Sequence, residues 1–218
     1  GTVVTGTLMD GNVHTGDDVM IYPEGIKAKV RGIQTYGRET ESALAGQRTA
    51  INLSGISKED IDRGDIVAYK DAVTVTSMLD TEISIFSSTD RIILNNSRVH
   101  LYCGSDEVLC KVILLDRDAA AAGDTCYAQL RLEEPMAVRR GDRFIFRFYS
   151  PIITVGGGRI IDASPAKHKR NRPEVLAGME VLANGSLSEI IYAKASERRF
   201  VRQKELAHEL GILEGEMQ

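Results

Sequence analysis

The first residues whose type and spacing could do chemistry are two arginines, Arg48 and Arg63, within the single strand-turn-strand stretch from Ala45 to Ala68. Gly46 ends a turn, Arg48 opens a strand with apolar residues at Ala50, Ile51 and Leu53, and Arg63-Gly64-Asp65 turns the chain into a second strand from Ile66 to Tyr69. Each guanidinium therefore stands at the mouth of a strand, always charged and carrying a fork of donors suited to an anion. Arginines in such positions are more often solvated surface charge than a site, so the rest of the chain has to decide. Other chemistry is thin. His14, His100, His168 and His208 are dispersed without a nucleophile partner, no metal-ligand cluster is visible, and the phosphate loop G-x-x-x-x-G-K-[ST] does not occur. Gly156-Gly157-Gly158 lacks the lysine and the following helix, and reads as a place of close backbone packing or a bend. We expect no catalysis, metal or cofactor in this chain.

The elements that must position the arginines are short strands. As far as about Ala72 the chain is punctuated by turn signals at Asp10-Gly11-Asn12, Gly16-Asp17-Asp18 and Pro23-Glu24-Gly25, which predicts a small antiparallel barrel. From Val73 the pattern restarts, with strands at Val73 to Ile85, Arg98 to Tyr102, Val108 to Leu115, Thr125 to Leu132 and Phe144 to Phe148, predicting a second barrel. The run Ala119 to Ala122 is too short for a stable helix and is expected in a loop. After Pro165 the character changes. Lys167 to Arg172 form a basic linker that is equally an RNA contact or a solvated hinge. Pro173 then opens a helix to Asn184-Gly185, Ser186 or Ser188 caps a second through Ala195, and Val201 to Leu210 gives a third, ending at Gly211. Three short helices of this kind begin a helix-turn-helix or winged-helix domain. The expected organisation is a barrel over 1–72, a second over 73–165, and a linker with helices over 166–218. The chain starts inside a strand and stops before a recognition helix could follow, as a piece of a longer protein would.

Composition excludes some partners. The net charge of -4 argues against a non-specific polyanion binder, though not against a protein that grips nucleic acid with a few placed arginines. The 218 residues contain no run of about 18 apolar residues and begin without a signal-peptide pattern, so a soluble, non-exported protein without a membrane partner is expected. Cys103, Cys110 and Cys126 form an odd set without C-x-x-C spacing, which fits buried free thiols in the reducing cytoplasm.

Gly1-Thr2-Val3-Val4-Thr5-Gly6-Thr7, with Gly16-Asp17 and then Gly55-Ile56 to Arg63-Gly64, resembles the second domain of translational GTPases of the elongation factor Tu class. Glu134-Pro135-Met136-Ala137-Val138, Gly141-Asp142-Arg143-Phe144, Arg147 and Thr154-Val155-Gly156-Gly157-Gly158 resemble the third domain, and order and spacing hold over residues 1 to 165. Three features are similar to the selenocysteine-specific elongation factors in particular. Tyr149-Ser150-Pro151 precedes Thr154 to Asp162, the chain continues through a basic linker into helices, and Arg48 stands where elongation factor Tu has asparagine.

The resemblance implies roles, residue by residue. Arg48 would line the pocket for the esterified amino acid, where a guanidinium stabilises an ionised selenol and offers a neutral serine hydroxyl little. Gln34 and Thr5 would lie at the terminal adenine and acceptor end, Arg63 at a phosphate of the other strand end, and Arg147 with Ser150 at the T-stem. The implied partners are selenocysteinyl-tRNA, the ribosome and, through a part beyond this chain, a selenocysteine-insertion mRNA hairpin. GTP and Mg2+ would belong to a separate domain of the full-length protein. The alternative is a ribosome- or partner-docking barrel platform of another translational GTPase without selenocysteine specificity, and Arg48 discriminates between the two.

Overall fold

The computed structural model describes residues 1–196 and 202–210, with the side chains of 208 and 209 left aside. The chain divides into two compact units, Gly1–Lys70 and Asp71–Gln218. Both are built mainly from antiparallel strands, the fold class that the spacing of turn signals predicts.

In the first unit the strands are β1 Thr2–Thr7, β2 Asn12–His14, β3 Asp18–Tyr22, β4 Ile26–Thr35, β5 Arg38–Thr40, β6 Ser42–Leu44, β7 Arg48–Ser54 and β8 Ile66–Ala68, with a 3-10 turn at Lys58–Asp60. The sheet runs β1-β7-β4-β3-β8 with β5 on β4, and β2 pairs separately with β6. Val13 and Ala43 from that small pair join Val19, Ile21, Val30, Ile33, Ile51 and Leu53 in one core. Strand alternation decides which side each residue takes. On β7 the buried set is Thr49, Ile51 and Leu53, so Arg48, Ala50 and Asn52 face the other way.

The second unit contains β9 Thr74–Ile85, β10 Ile93–Leu94, β11 Ser97–Cys103, β12 Asp106–Leu114, β13 Ala119–Ala120, β14 Thr125–Val138, β15 Arg143–Phe148 and β16 Thr154–Asp162, followed by α1 Pro173–Asn184, α2 Leu187–Ser196 and α3 Gln203–Leu210. Six strands close a barrel in the order β11-β12-β14-β9-β16-β15, with β15 returning to pair with β11. The expectation of a loop at Ala119 to Ala122 is corrected in part. Ala119–Ala120 pair with Ile93–Leu94, and Ala120 is fully buried, because a small side chain lets the connection lie flat on the core. Pro135 is tolerated inside β14 because the ladder to β9 shifts register between Arg131 and Met136, which removes the need for its missing donor.

The glycine run does what its composition implies. A Cβ on Gly156 would lie 2.4 Å from the Ser84 carbonyl oxygen and 2.7 Å from the Phe146 ring, and one on Gly158 would lie 2.2 Å from the Glu82 carbonyl and 2.8 Å from the Phe144 ring. Two phenylalanines of β15 therefore cover two glycines of β16, filling the barrel where side chains are missing.

Pro173 is at the N-terminus of α1 and Gly185 caps its end. Val175, Leu176, Met179 and Ala183 pack on Ile113, Leu115 and Ile161 of the barrel wall. At the head of α2, the Ser186 hydroxyl accepts from the Glu189 amide, and the Glu189 carboxylate accepts from the Ser186 amide, a reciprocal cap. The expected third helix is described from Gln203, while Val201 and Gly211 lie outside the described residues.

Candidate nucleic-acid interface

In the first unit, register brings three of the sequence-selected residues onto one face. Thr5 of β1 and Gln34 of β4 both pair with Ala50 of β7, one from each side. Thr5 and Gln34 are thus two strands apart, about 10 Å, with only the Ala50 methyl between them. Arg48 stands two residues before Ala50 on the same face, opposite Thr7 and about 7 Å along the strand. All three side chains are exposed. Arg48 forms no ion pair and no side-chain hydrogen bond with the described residues, so its charge is not cancelled internally.

The same face carries a cavity of about 490 Å³, whose lining includes Val3, Arg31, Gln34, Glu39, Thr40, Ala50 and Asn52. Arg48, Thr5 and Arg63 are outside that lining. The Asn52 amide oxygen is buried without a hydrogen-bond partner among the described residues, close against the Gly1 backbone rather than open to the cavity. With two carboxylates, Glu39 and Glu41, against one arginine, the lining suits a neutral group bearing N–H donors better than a phosphate. Arg63 lies elsewhere, exposed in the turn before β8. Its acidic neighbours are occupied: Asp60 accepts from the Ser57 amide and hydroxyl, and Asp65 accepts from the Asp62 amide, leaving Arg63 without an ion pair among the described residues.

Arg147, in the second unit, lies opposite His100 on β11. Its guanidinium rests 5.8 Å from the centre of the Tyr102 ring, its Nη2 donates to the Ile152 carbonyl at 3.3 Å, and its buried Nε has no partner among the described residues. Around it runs a column of rings and cations that the sequence reading did not single out. Tyr102 neighbours His100 at 6.4 Å, His100 stacks on Tyr149 at 5.6 Å with 14° between planes, and Arg98 lies 4.7 Å over Tyr149. The signal was present in Arg98-Val99-His100-Leu101-Tyr102, where alternation sends every second residue out of the barrel. Nothing in one strand, however, shows that Tyr149 folds back to complete the stack. Ser150 is exposed in the connection from β15 to β16, beside this column.

A second cluster that the sequence reading missed is buried. Asp80 and Asp162 are paired neighbours on β9 and β16, with 1% and 3% exposure. Asp80 meets His168 Nε2 at 2.6 Å and accepts from the Gln129 amide at 2.9 Å, while Asp162 is ion-paired with Lys194 of α2. The basic linker is therefore partly internal: His168 is used on Asp80, and Arg170 donates to the Leu114 and Arg117 carbonyls and to Asp118. Lys167, Lys169 and Arg172 remain exposed.

Cys103, Cys110 and Cys126 are unpaired thiols. Burial pushes the Cys110 thiol up to about 12 and that of Cys126 to about 11, away from nucleophilic reactivity. The described residues contain no group of three or more metal-ligating side chains, and no described helix is long and apolar enough to cross a membrane.

Comparison with known proteins adds to this geometry. The family model "Selenocysteine-specific elongation factor, beta-barrel domain" matches residues 80–167, and the model "Elongation factor Tu domain 2" matches residues 1–68. The selenocysteine-specific elongation factor of Desulfomicrobium baculatum is 36% identical over 217 residues, covering 100% of this chain and 33% of its own length. That of Haemophilus influenzae is 30% identical over 191 residues, covering 85% of this chain and 30% of its own. The chain spans about a third of the length of these curated relatives. A crystal structure of the bacterial selenocysteine-specific elongation factor EF-Sec superposes with a TM-score of 0.78 at 21% identity, covering 97% of this chain and 33% of that one, a likeness of fold.

Proposed function

The chain belongs to the selenocysteine-specific elongation factor family, and on that premise we propose that its two barrels hold the acceptor arm and aminoacyl group of selenocysteinyl-tRNA for delivery to the ribosome at recoded UGA codons. In this reading Arg48 faces the ionised selenol, Gln34 and Thr5 meet the terminal adenine and acceptor end, Arg63 meets a phosphate, and Arg147 with Ser150 takes the T-stem. The barrels occupy 1–72 and 73–165. Residues 166–218 open a winged-helix arm that leads toward an insertion hairpin in the mRNA. GTP and Mg2+ act in a separate domain of the cytoplasmic full-length factor, and this portion contributes binding without chemistry.

The observation that carries the proposal is the shared face of Thr5, Gln34 and Arg48, with Arg48 free of an internal carboxylate. A guanidinium held there gains from an anion and is left unpaired by a neutral hydroxyl, so discrimination arises from the difference. The cavity beside Gln34 adds support, since it offers a recess of about 490 Å³ with Gln34 in its lining.

The test is Arg48→Ala in the full-length factor, with dissociation constants for selenocysteinyl-tRNA and seryl-tRNA measured in parallel. A lost charge-assisted contact of about 1.5–3 kcal/mol lowers the preference for selenocysteine by roughly 10- to 100-fold. An unchanged ratio removes selenium specificity from this face and leaves a generic elongation-factor barrel.

A further inference from the structure

Glu107 is the second residue of β12 and lies directly opposite Tyr102 of β11. One carboxylate oxygen serves two adjacent rings: Oε1 accepts from the Tyr102 hydroxyl at 2.8 Å and lies 2.8 Å from His100 Nδ1. Those rings are the middle of the column described above. Tyr102 lies under Arg147, while His100 carries Tyr149 and, through it, Arg98. Arg98 is itself committed to Glu133 through two bonds of 2.7 and 2.6 Å. Arg147 has no ion pair among the described residues, and beyond its contact with the Tyr102 side chain it donates to the Ile152 carbonyl at 3.3 Å. It is therefore the cation of the column left to meet an outside anion, and its direction depends on the ring beneath it.

We propose that Glu107 is a positioning residue for RNA: by clamping His100 and Tyr102 together it holds the Arg147 guanidinium in the orientation that takes a phosphate of the tRNA backbone. This rests on the reading of the second barrel as a tRNA-binding face. Charge alone argues the other way. Glu107 is half-exposed, and the Tyr102 hydroxyl, followed by His100, holds its carboxyl below the usual range, so it is ionised wherever the face meets RNA. A carboxylate beside a phosphate repels it and competes for Arg147, so a purely coulombic role makes its removal tighten RNA binding. A positioning role makes removal weaken it. The two accounts differ in sign.

The experiment measures aminoacyl-tRNA dissociation constants for the full-length factor as wild type, Glu107→Ala, Tyr102→Phe, Arg147→Ala and Glu107→Ala/Arg147→Ala. Melting temperatures confirm that each variant is folded. Glu107→Ala is expected to weaken binding by roughly 3- to 10-fold, a coupling typical of residues in one hydrogen-bonded network. Tyr102→Phe, which removes the hydroxyl and keeps the ring, is expected to weaken it less, in the same direction. In the Arg147→Ala background the Glu107 effect should vanish. Unchanged or tighter binding by Glu107→Ala overturns the proposal, and so does an equal loss with and without Arg147, which would mark a general structural effect. If Arg147→Ala alone leaves affinity untouched, the RNA reading of this face fails first.

Discussion

Asp80 is a carboxylate with 1% exposure, and burial raises its pKa more than the bonds from His168 and Gln129 lower it. A group whose pKa is higher in the folded than in the unfolded chain stabilises the fold at low pH, and that contribution is lost as pH rises through the folded value. The groups facing it are His168 from the linker and Gln129 from β14, with Asp162 of β16 adding a like charge. Most exposed carboxylates with a resolved shift are displaced the other way. Asp60, Glu107, Glu133, Glu180 and Glu189 are held low by hydrogen bonds, so their stabilisation disappears on acidification. Asp80 offsets part of that acid loss. Asp80→Asn should therefore steepen the fall in melting temperature as pH drops from 6 toward 4, relative to wild type, and a parallel pair of curves would show that Asp80 does not titrate as described.

At the scale of elements, α1 and α2 are attached to the barrel by different means. The first is held by apolar contact with Ile113, Leu115 and Ile161, reinforced by Arg140 donating to the Leu182 carbonyl and Tyr127 donating to Glu180. The second adds the buried Lys194–Asp162 pair to its packing against α1 and α3. Removing one member of a buried pair strands the other charge, so Lys194→Met should cost about 3–5 kcal/mol in a urea unfolding curve. Lys194→Met/Asp162→Asn should recover most of that loss, because no charge is then stranded and the acceptor for the Ser164 amide is kept. If both variants lose the same amount, the side chains matter for packing rather than charge.

Over these 218 residues the net charge is -4, so any affinity of this chain for RNA has to come from local arrangement rather than from overall attraction. On the second barrel the cations Arg147 and Arg98 stand at the two ends of the Tyr102, His100 and Tyr149 column, while Glu107 and Glu133 keep the sum small. On the proposed tRNA-binding reading, such a face would position a backbone through a few contacts and show a shallow salt dependence. Titrating aminoacyl-tRNA against the full-length factor at several salt concentrations should show Arg147→Ala lowering the log–log slope by about 1, as expected for one lost phosphate contact. An unchanged slope means that Arg147 meets no phosphate.

What the sequence determined by itself was everything carried by local periodicity. Turn glycines at intervals marked the strands, Pro173 and Gly185 bounded a helix, and Gly156 to Gly158 announced a close approach, because each depends on backbone geometry within a few residues. Order and spacing over 1 to 165 carried the family resemblance in the same way. The tertiary structure alone decided which residues share a face. Register across β1, β7 and β4 set Thr5, Ala50 and Gln34 in one row with Arg48 beside it, and no local rule fixes a register between strands distant in sequence. His168 stands in a linker that reads equally as an RNA contact or a solvated hinge, and nothing in the sequence singles out Lys194. They became buried partners because Asp80 and Asp162, remote in the chain, had been turned to meet them, and desolvation makes an isolated buried carboxylate so costly that such partners are required.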